Sequence, residues 1–401
     1  MGTLIATALP GRPQSSPTPA GVPLPTPAVD DPAVVSWTDA GQVLTARWRS
    51  ANGRPAPARV EVVTDSLTAD QANRMASQGT AMLWHGDFHN ARQILNALDR
   101  RVASGKKKSA GSPADEFYRH RQSRSHRARI LGLLLIPLHP GPVVPLRRSP
   151  DIRAAAEEAY GGISEPSVVS LHELVGAIGA HEWRRNGVYV DALQGRIHPH
   201  YGTFFPTRSE YVDLVGTAPL PSDALAFDVG TGTGVLAAVL ARRGVRRVLA
   251  TDNEPRAIAC AAENFRNLGV EARAEAVLGD MFPPGRAPLI VCNPPWIPAT
   301  PHSSLDNAVY DPGSHMLMRF LKELPRHLEP GGEGWLVLSD LAEHLGLRSR
   351  SALLDAIDAA GLQVLDRLDT RPTHAKASDP TDRLFAARSA EVTSLWRLAV
   401  R

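Results

Sequence analysis

Beyond Ala224, short apolar runs alternate with amphipathic stretches, and that alternation predicts an architecture. Runs of strand length fall near 224–229, 246–251, 272–277, 288–292, 333–338, 362–368 and 392–399. Between them, stretches near 233–243, 255–267, 315–328 and 349–360 repeat apolar residues at helical spacing. Strands and helices taken in turn predict an α/β fold, a parallel doubly wound sheet with helices on both faces.

Ahead of that region the pattern is mixed. Gln42–Trp48 and Ala58–Val63 alternate as strands do and are joined by a loop containing Asn52-Gly53, a hairpin signal. Thr68-x-x-Gln71 is a capping-box pattern that opens a helix running to about Gln78. Phe88, Ala91, Ile94, Leu95 and Leu98 share one face of a second helix over Asp87–Val102. Residues 151–200 carry two amphipathic helical patterns and then a hairpin, Val188–Ala192 with Arg196–His198; a helix at Glu210–Val215 follows. The expected organisation is a disordered Pro-rich tail over 1–32, an α+β and helical module over 33–165, and an α/β domain over 166–401.

Composition changes this picture little. With 44 Lys and Arg against 41 Asp and Glu, a net charge of +3 permits an anionic partner without demanding one. The charge is concentrated in Glu116–Arg129, which holds Arg119, Arg121, Arg124, Arg127 and Arg129. That stretch reads either as a nucleic-acid or ribosome contact or as a solvated helix face. Cys260 and Cys292 sit in apolar segments without metal-ligand spacing, as reduced core residues of a cytoplasmic chain do. No metal is expected, and no apolar run is long enough to suggest a membrane partner. Oligomeric state is not legible from the sequence.

The chemistry is carried by four segments in a fixed order. Phe227-Asp228-Val229-Gly230-Thr231-Gly232-Thr233-Gly234 lies between an apolar strand and an apolar helix, where a glycine turn lets a nucleotide-type cofactor approach the backbone. Asp252 ends the second strand, where a carboxylate can hydrogen-bond a ribose diol. Asp280 follows the third, where a carboxylate can contact an adenine amine. After the fourth come Asn293, Pro294, Pro295 and Trp296. Two prolines leave that backbone with carbonyl acceptors only, Asn293 adds a side-chain acceptor, and Trp296 adds a flat face. Acceptors beside an aromatic plane suit a planar group carrying an –NH2. The tetrapeptide alone also describes a rigid turn with Trp296 in the core.

This order resembles the class I S-adenosylmethionine-dependent methyltransferases, and within them the HemK-type glutamine methyltransferases of release factors and a ribosomal protein. Glu182–Val190 and Gly202–Glu210 extend the likeness upstream, so that it spans roughly 165–400. The resemblance implies a Rossmann-like seven-stranded sheet in the order 3-2-1-4-5-7-6, its last strand antiparallel. It implies S-adenosylmethionine as cofactor, held by Phe205, Asp228, Gly230, Thr231, Gly232, Gly234, Asp252, Asp280 and Asn293. It places catalysis at Asn293, Pro294, Pro295 and Trp296, with Trp296 stacked on the target. The family has Tyr or Phe where Trp296 stands, and its Pro-Arg-Pro-Glu run appears here as Pro206-Thr207-Arg208-Ser209-Glu210. Four readings stay open on the residues alone: a glutamine in a translation factor or ribosomal protein, an exocyclic amine of RNA or DNA, a small-molecule amine, and no acceptor at all in a non-catalytic cofactor-binding module.

Overall fold

The computed structural model describes residues 33–103, 111–205, 209–301, 304–373 and 378–401, less the side chains of 304 and 305. The stretch 1–32, expected as a disordered tail, the Lys106–Lys108 run and Pro206–Arg208 lie outside the described residues.

A first sheet of six strands is formed by β1 (Val34–Asp39), β2 (Gln42–Trp48), β3 (Val60–Val63), β4 (Ala81–Trp84), β5 (Leu134–Leu138) and β6 (Ser167–Ser170). Its order is β1-β2-β6-β5-β4-β3. Helices α1 (Ala69–Ser77), α2 (Phe88–Ala103), α3 (Pro113–Leu131), α4 (Arg153–Tyr160) and α5 (Leu171–Asn186) accompany it. The capping box forms as the sequence suggests: Thr68 Oγ1 accepts from Gln71 N, and Gln71 Oε1 accepts from Thr68 N. The hairpin expected around Asn52-Gly53 does not form, because β2 and β3 are separated by three strands. The turn is captured from elsewhere: buried Glu173 of α5 accepts hydrogen bonds from Ser50 Oγ, Ala51 N and Asn52 Nδ2. The boundary expected at 165 also moves. β6 pairs with β2 and β5, so the first sheet runs through Ser170.

The short β7 (Val188–Val190) and β8 (Gly195–Ile197) pair antiparallel, and α6 (Glu210–Thr217) leads into the second sheet. Its strands are β9 (Leu225–Val229), β10 (Arg247–Asp252), β11 (Ala274–Leu278), β12 (Ala287–Cys292), β13 (Leu328–Ser339), β14 (Leu362–Thr370) and β15 (Thr393–Val400). Between them lie α7 (Val235–Arg242), α8 (Pro255–Asn267), α9 (His315–His327), α10 (Leu341–His344), α11 (Arg350–Ala359) and α12 (Phe385–Ala390). The order β11-β10-β9-β12-β13-β15-β14, with β15 antiparallel to both neighbours, is the expected 3-2-1-4-5-7-6. One face buries α7 and α6 against Val248, Val291 and Val337; the other buries α9 and α11 against Phe227, Ile290 and Leu336. β9 is fully buried beyond its first residue, as a central strand with both faces covered must be. Among the described residues no helix is long and apolar enough to cross a membrane.

Candidate active site

Register fixes the site. Val229 pairs with Thr251 on one side and with Cys292 on the other, so β9, β10 and β12 end level. The residues that follow, Gly230, Asp252 and Asn293, therefore emerge side by side at the carboxyl ends of the strands, where the order of crossovers reverses.

The turn after β9 is tied down by short bonds. Gly230 N and Thr231 N both donate to Thr251 O at 2.9 Å, and Gly232 N donates to Asp252 Oδ2 at 3.0 Å. The other oxygen of Asp252 accepts from Glu254 N at 3.0 Å. Each carboxylate oxygen keeps acceptor capacity, and Asp252 lines the cavity. Asp228 sits below the turn at 1% exposure; its Oδ2 accepts from Thr231 Oγ1 at 2.6 Å and Ala237 N at 3.1 Å. Burial pushes its carboxyl up to about 6, against the pull of those two hydrogen bonds.

The glycines differ in purpose. Gly230 (φ +74°) and Gly232 (φ +56°) face the cavity; a Cβ on Gly230 would stand 2.8 Å from Met316 Cε. Gly234 (φ +82°) does not line the cavity. It begins α7, where a Cβ would lie 2.6 Å from Cε1 of buried Phe265, so its absence of a side chain serves packing.

Asn293 and Trp296 form a unit. The indole Nε1 donates to Asn293 Oδ1 at 2.8 Å. An indole N–H can only donate, so it determines which end of the carboxamide is oxygen. The Trp296 ring meets buried Tyr211 edge to face, at 6.0 Å between centroids and 82° between planes. Burial holds the Tyr211 hydroxyl well above the usual phenol range, offset in part by a hydrogen bond with Asn293. Trp296 is thus a bonded, half-buried wall as well as a flat face.

Gly230, Thr231, Gly232, Asp228, Asp252, Asp280, Asn293, Pro294, Pro295 and Trp296 all line one cavity of about 980 Å³. Two predicted residues stand outside its lining. Gly234 is one; Phe205 is the other, its ring lying 5.9 Å from that of Trp183 while the neighbouring Phe204 faces the cavity. Asp280 is at the rim, its carboxylate paired with Arg319 at 2.7 Å.

Several contributors stand outside the set of predicted site residues. Asp311 lines the cavity and accepts from Met316 N at 2.8 Å, which secures the start of α9; burial raises its carboxyl despite those backbone donors. His315, Met316 and Tyr211 complete the wall beside Asn293, and Ala51 reaches it from the first sheet's turn. Position in sequence gave no signal for Ala51, which arrives through the Glu173 capture. Ile297, Asn307, Ala308 and Val309 also line the cavity, anchored where Ile297 N donates to Val309 O and Asp311 N donates to Ile297 O.

The methyltransferase small domain family matches residues 214–355, the stretch that contains the cavity's glycine turn, acids and Asn-Pro-Pro-Trp. The release factor glutamine methyltransferase of Cereibacter sphaeroides is 35% identical over 195 residues, covering 45% of this chain and 65% of that protein. That of Xylella fastidiosa is 35% identical over 210 residues, covering 45% of this chain and 72% of that protein. A ribosomal protein L11 methyltransferase of Pelotomaculum thermopropionicum is 34% identical over 143 residues, or 35% of this chain and 39% of that protein. The chain thus spans between 39% and 72% of the length of these relatives.

Proposed function

We propose that this chain, which belongs to the release factor glutamine methyltransferase family, moves a methyl group from S-adenosylmethionine to a side-chain amide of a translation factor. The cavity fits that cofactor on its own chemistry. Its floor is backbone at Gly230 and Gly232, and Asp228 and Asp252 bring carboxylates toward a ligand that carries a sulfonium and an ammonium. Asp252 keeps acceptor capacity for a ribose diol. When bound, S-adenosylmethionine supplies an electrophilic methyl group.

The chain's own residues supply position. An amide nitrogen is a weak nucleophile because its lone pair is delocalised. Asn293 Oδ1 accepts from Trp296 Nε1 and, as a carbonyl oxygen with two lone pairs, has capacity for an amide N–H as well. The Pro294 carbonyl offers the other acceptor. Held by both, the amide nitrogen is oriented and its developing positive charge is stabilised. Tyr211 and Trp296 wall the place from water. The observation that carries the reading is this oriented Asn293 beside the glycine turn, at the end of β12.

A base amine of RNA draws less support. Of the α3 arginines, Arg127 is engaged bidentately by Asp99, and Arg121 is buried over the Tyr310 ring, so that neither presents a free cation to phosphate. Labelled S-adenosylmethionine added with this protein to a lysate lacking its gene tests the reading. Label is expected in protein, on glutamine of a release factor; label recovered in RNA overturns it.

A further inference from the structure

Helix α3 lies outside the matched family region, yet it reaches the active-site loop. Phe117 packs with Ile297 and Leu341, which line the main cavity. The Arg121 guanidinium lies 3.8 Å from the Tyr310 ring centroid and donates to Thr300 O. Arg383 pairs with Glu116 at 3.4 Å, tying α3 to the segment before α12. The loop after Asn-Pro-Pro-Trp thus has the cavity on one side and α3 on the other.

Between that loop and α3 runs a second groove of about 510 Å³. Tyr118, Gln122, Ser125 and Arg129 recur at helical spacing on its α3 wall and are exposed; Ala299 and Thr300 form the facing wall. Arg121 is 8% exposed, and its Nη1 has no hydrogen-bond partner among the described residues. Its guanidinium is held by Thr300 O and the Tyr310 ring, so it shapes the floor of the groove and leaves recognition to the exposed residues of α3. Arg129, beside His126, adds an exposed cation. Gln122 and Ser125 offer neutral donors and acceptors of the kind that pair with a peptide backbone.

Resting on the acceptor reading above, we propose that this groove docks an extended, acidic segment of the protein that carries the methylated glutamine. A polypeptide fits better than a nucleic acid. Phosphate recognition draws on several cations at once, whereas the lining presents one exposed arginine and one buried one. Because the loop at 297–300 borders both the groove and the cavity, a chain held along α3 is delivered beside Asn293.

The test uses the full-length protein and purified, unmethylated release factor as probe, with binding read by fluorescence anisotropy and transfer by label. Arg129→Glu is expected to raise both Kd and KM on the order of tenfold, with kcat and S-adenosylmethionine affinity unchanged; Arg129→Lys keeps most of the binding. Gln122→Glu, which places a negative charge on the same wall, is expected to act in the same direction. The proposal is overturned if Arg129→Glu leaves KM at the wild-type value, if kcat falls instead, or if single-stranded RNA occupies the groove and displaces the release factor. Transfer that proceeds with KM unmoved sinks the docking site and leaves the acceptor reading standing. Groove-dependent binding without transfer does the reverse.

Discussion

Asp228 offers a prediction whose size follows from the structure. Its carboxyl is 1% exposed and held up to about 6, against an ordinary value of 3.8, because burial penalises the charge more than its two hydrogen bonds repay. A carboxyl whose folded pKa is raised binds more protons in the native state than in the unfolded state between those values. Stability therefore falls as pH rises from about 4 to about 6, and above that window the buried charge costs up to about 3 kcal/mol. Both bonds end on Oδ2, from Thr231 Oγ1 and Ala237 N, so an asparagine oxygen there keeps both. Asp228→Asn is expected to stabilise the cofactor-free protein at pH 7–8 by about 1–3 kcal/mol and to leave it unchanged near pH 4. On the proposed cofactor reading the charge lies opposite a cationic cofactor in the bound state, so the variant's stabilisation by added S-adenosylmethionine should shrink. Urea unfolding from pH 4 to 8, with and without cofactor, measures both. Parallel pH curves for the two proteins, or a variant less stable at pH 8, refute the reasoning.

Four further substitutions separate the roles within and beside the site. Gly234→Ala combines a left-handed backbone with a Cβ 2.6 Å from buried Phe265, and should cost about 2–5 kcal/mol in denaturant unfolding; Gly232→Ala, with 3.6 Å to its nearest neighbour, should cost only about 1–2 kcal/mol. Trp296→Phe keeps an aromatic face and removes the Nε1–Oδ1 bond. Losing about 1 kcal/mol of Asn293 positioning should lower kcat about fivefold, with cofactor affinity by calorimetry unchanged. Asp252→Ala frees Gly232 N and Glu254 N from the carboxylate, and should weaken S-adenosylmethionine binding about ten- to a hundredfold while transfer at saturating cofactor persists.

What was legible in the sequence is what is local or periodic. The strand and helix alternation after Ala224 sufficed for the α/β sheet, and the resemblance supplied its order, because each crossover is short and the apolar runs are unambiguous. Placement of Asp252 and Asn293 after strand ends followed from the same pattern. The first sheet was harder to read. β4 and β5 are short, wholly apolar strands without alternation, and β2 and β3 look like a hairpin until Glu173, over 100 residues later in the chain, claims the turn between them. Gly234 illustrates a different limit. Its motif position suggested the cofactor, whereas its lack of a side chain is demanded by Phe265 on another helix. Phe205 and Phe204 are indistinguishable in sequence, and only the fold turns one to Trp183 and the other to the cavity. Arg121 was one of five arginines in a basic run until packing buried it over Tyr310.

The central claim is that Asn293, fixed by Trp296, positions the amide that receives the methyl group. The most direct measurement pairs kcat/KM for release factor with S-adenosylmethionine affinity in Asn293→Ala. The account predicts that transfer falls by about two to three orders of magnitude while cofactor binding stays close to wild type. Normal turnover in Asn293→Ala, or a loss explained entirely by weaker cofactor binding, contradicts it.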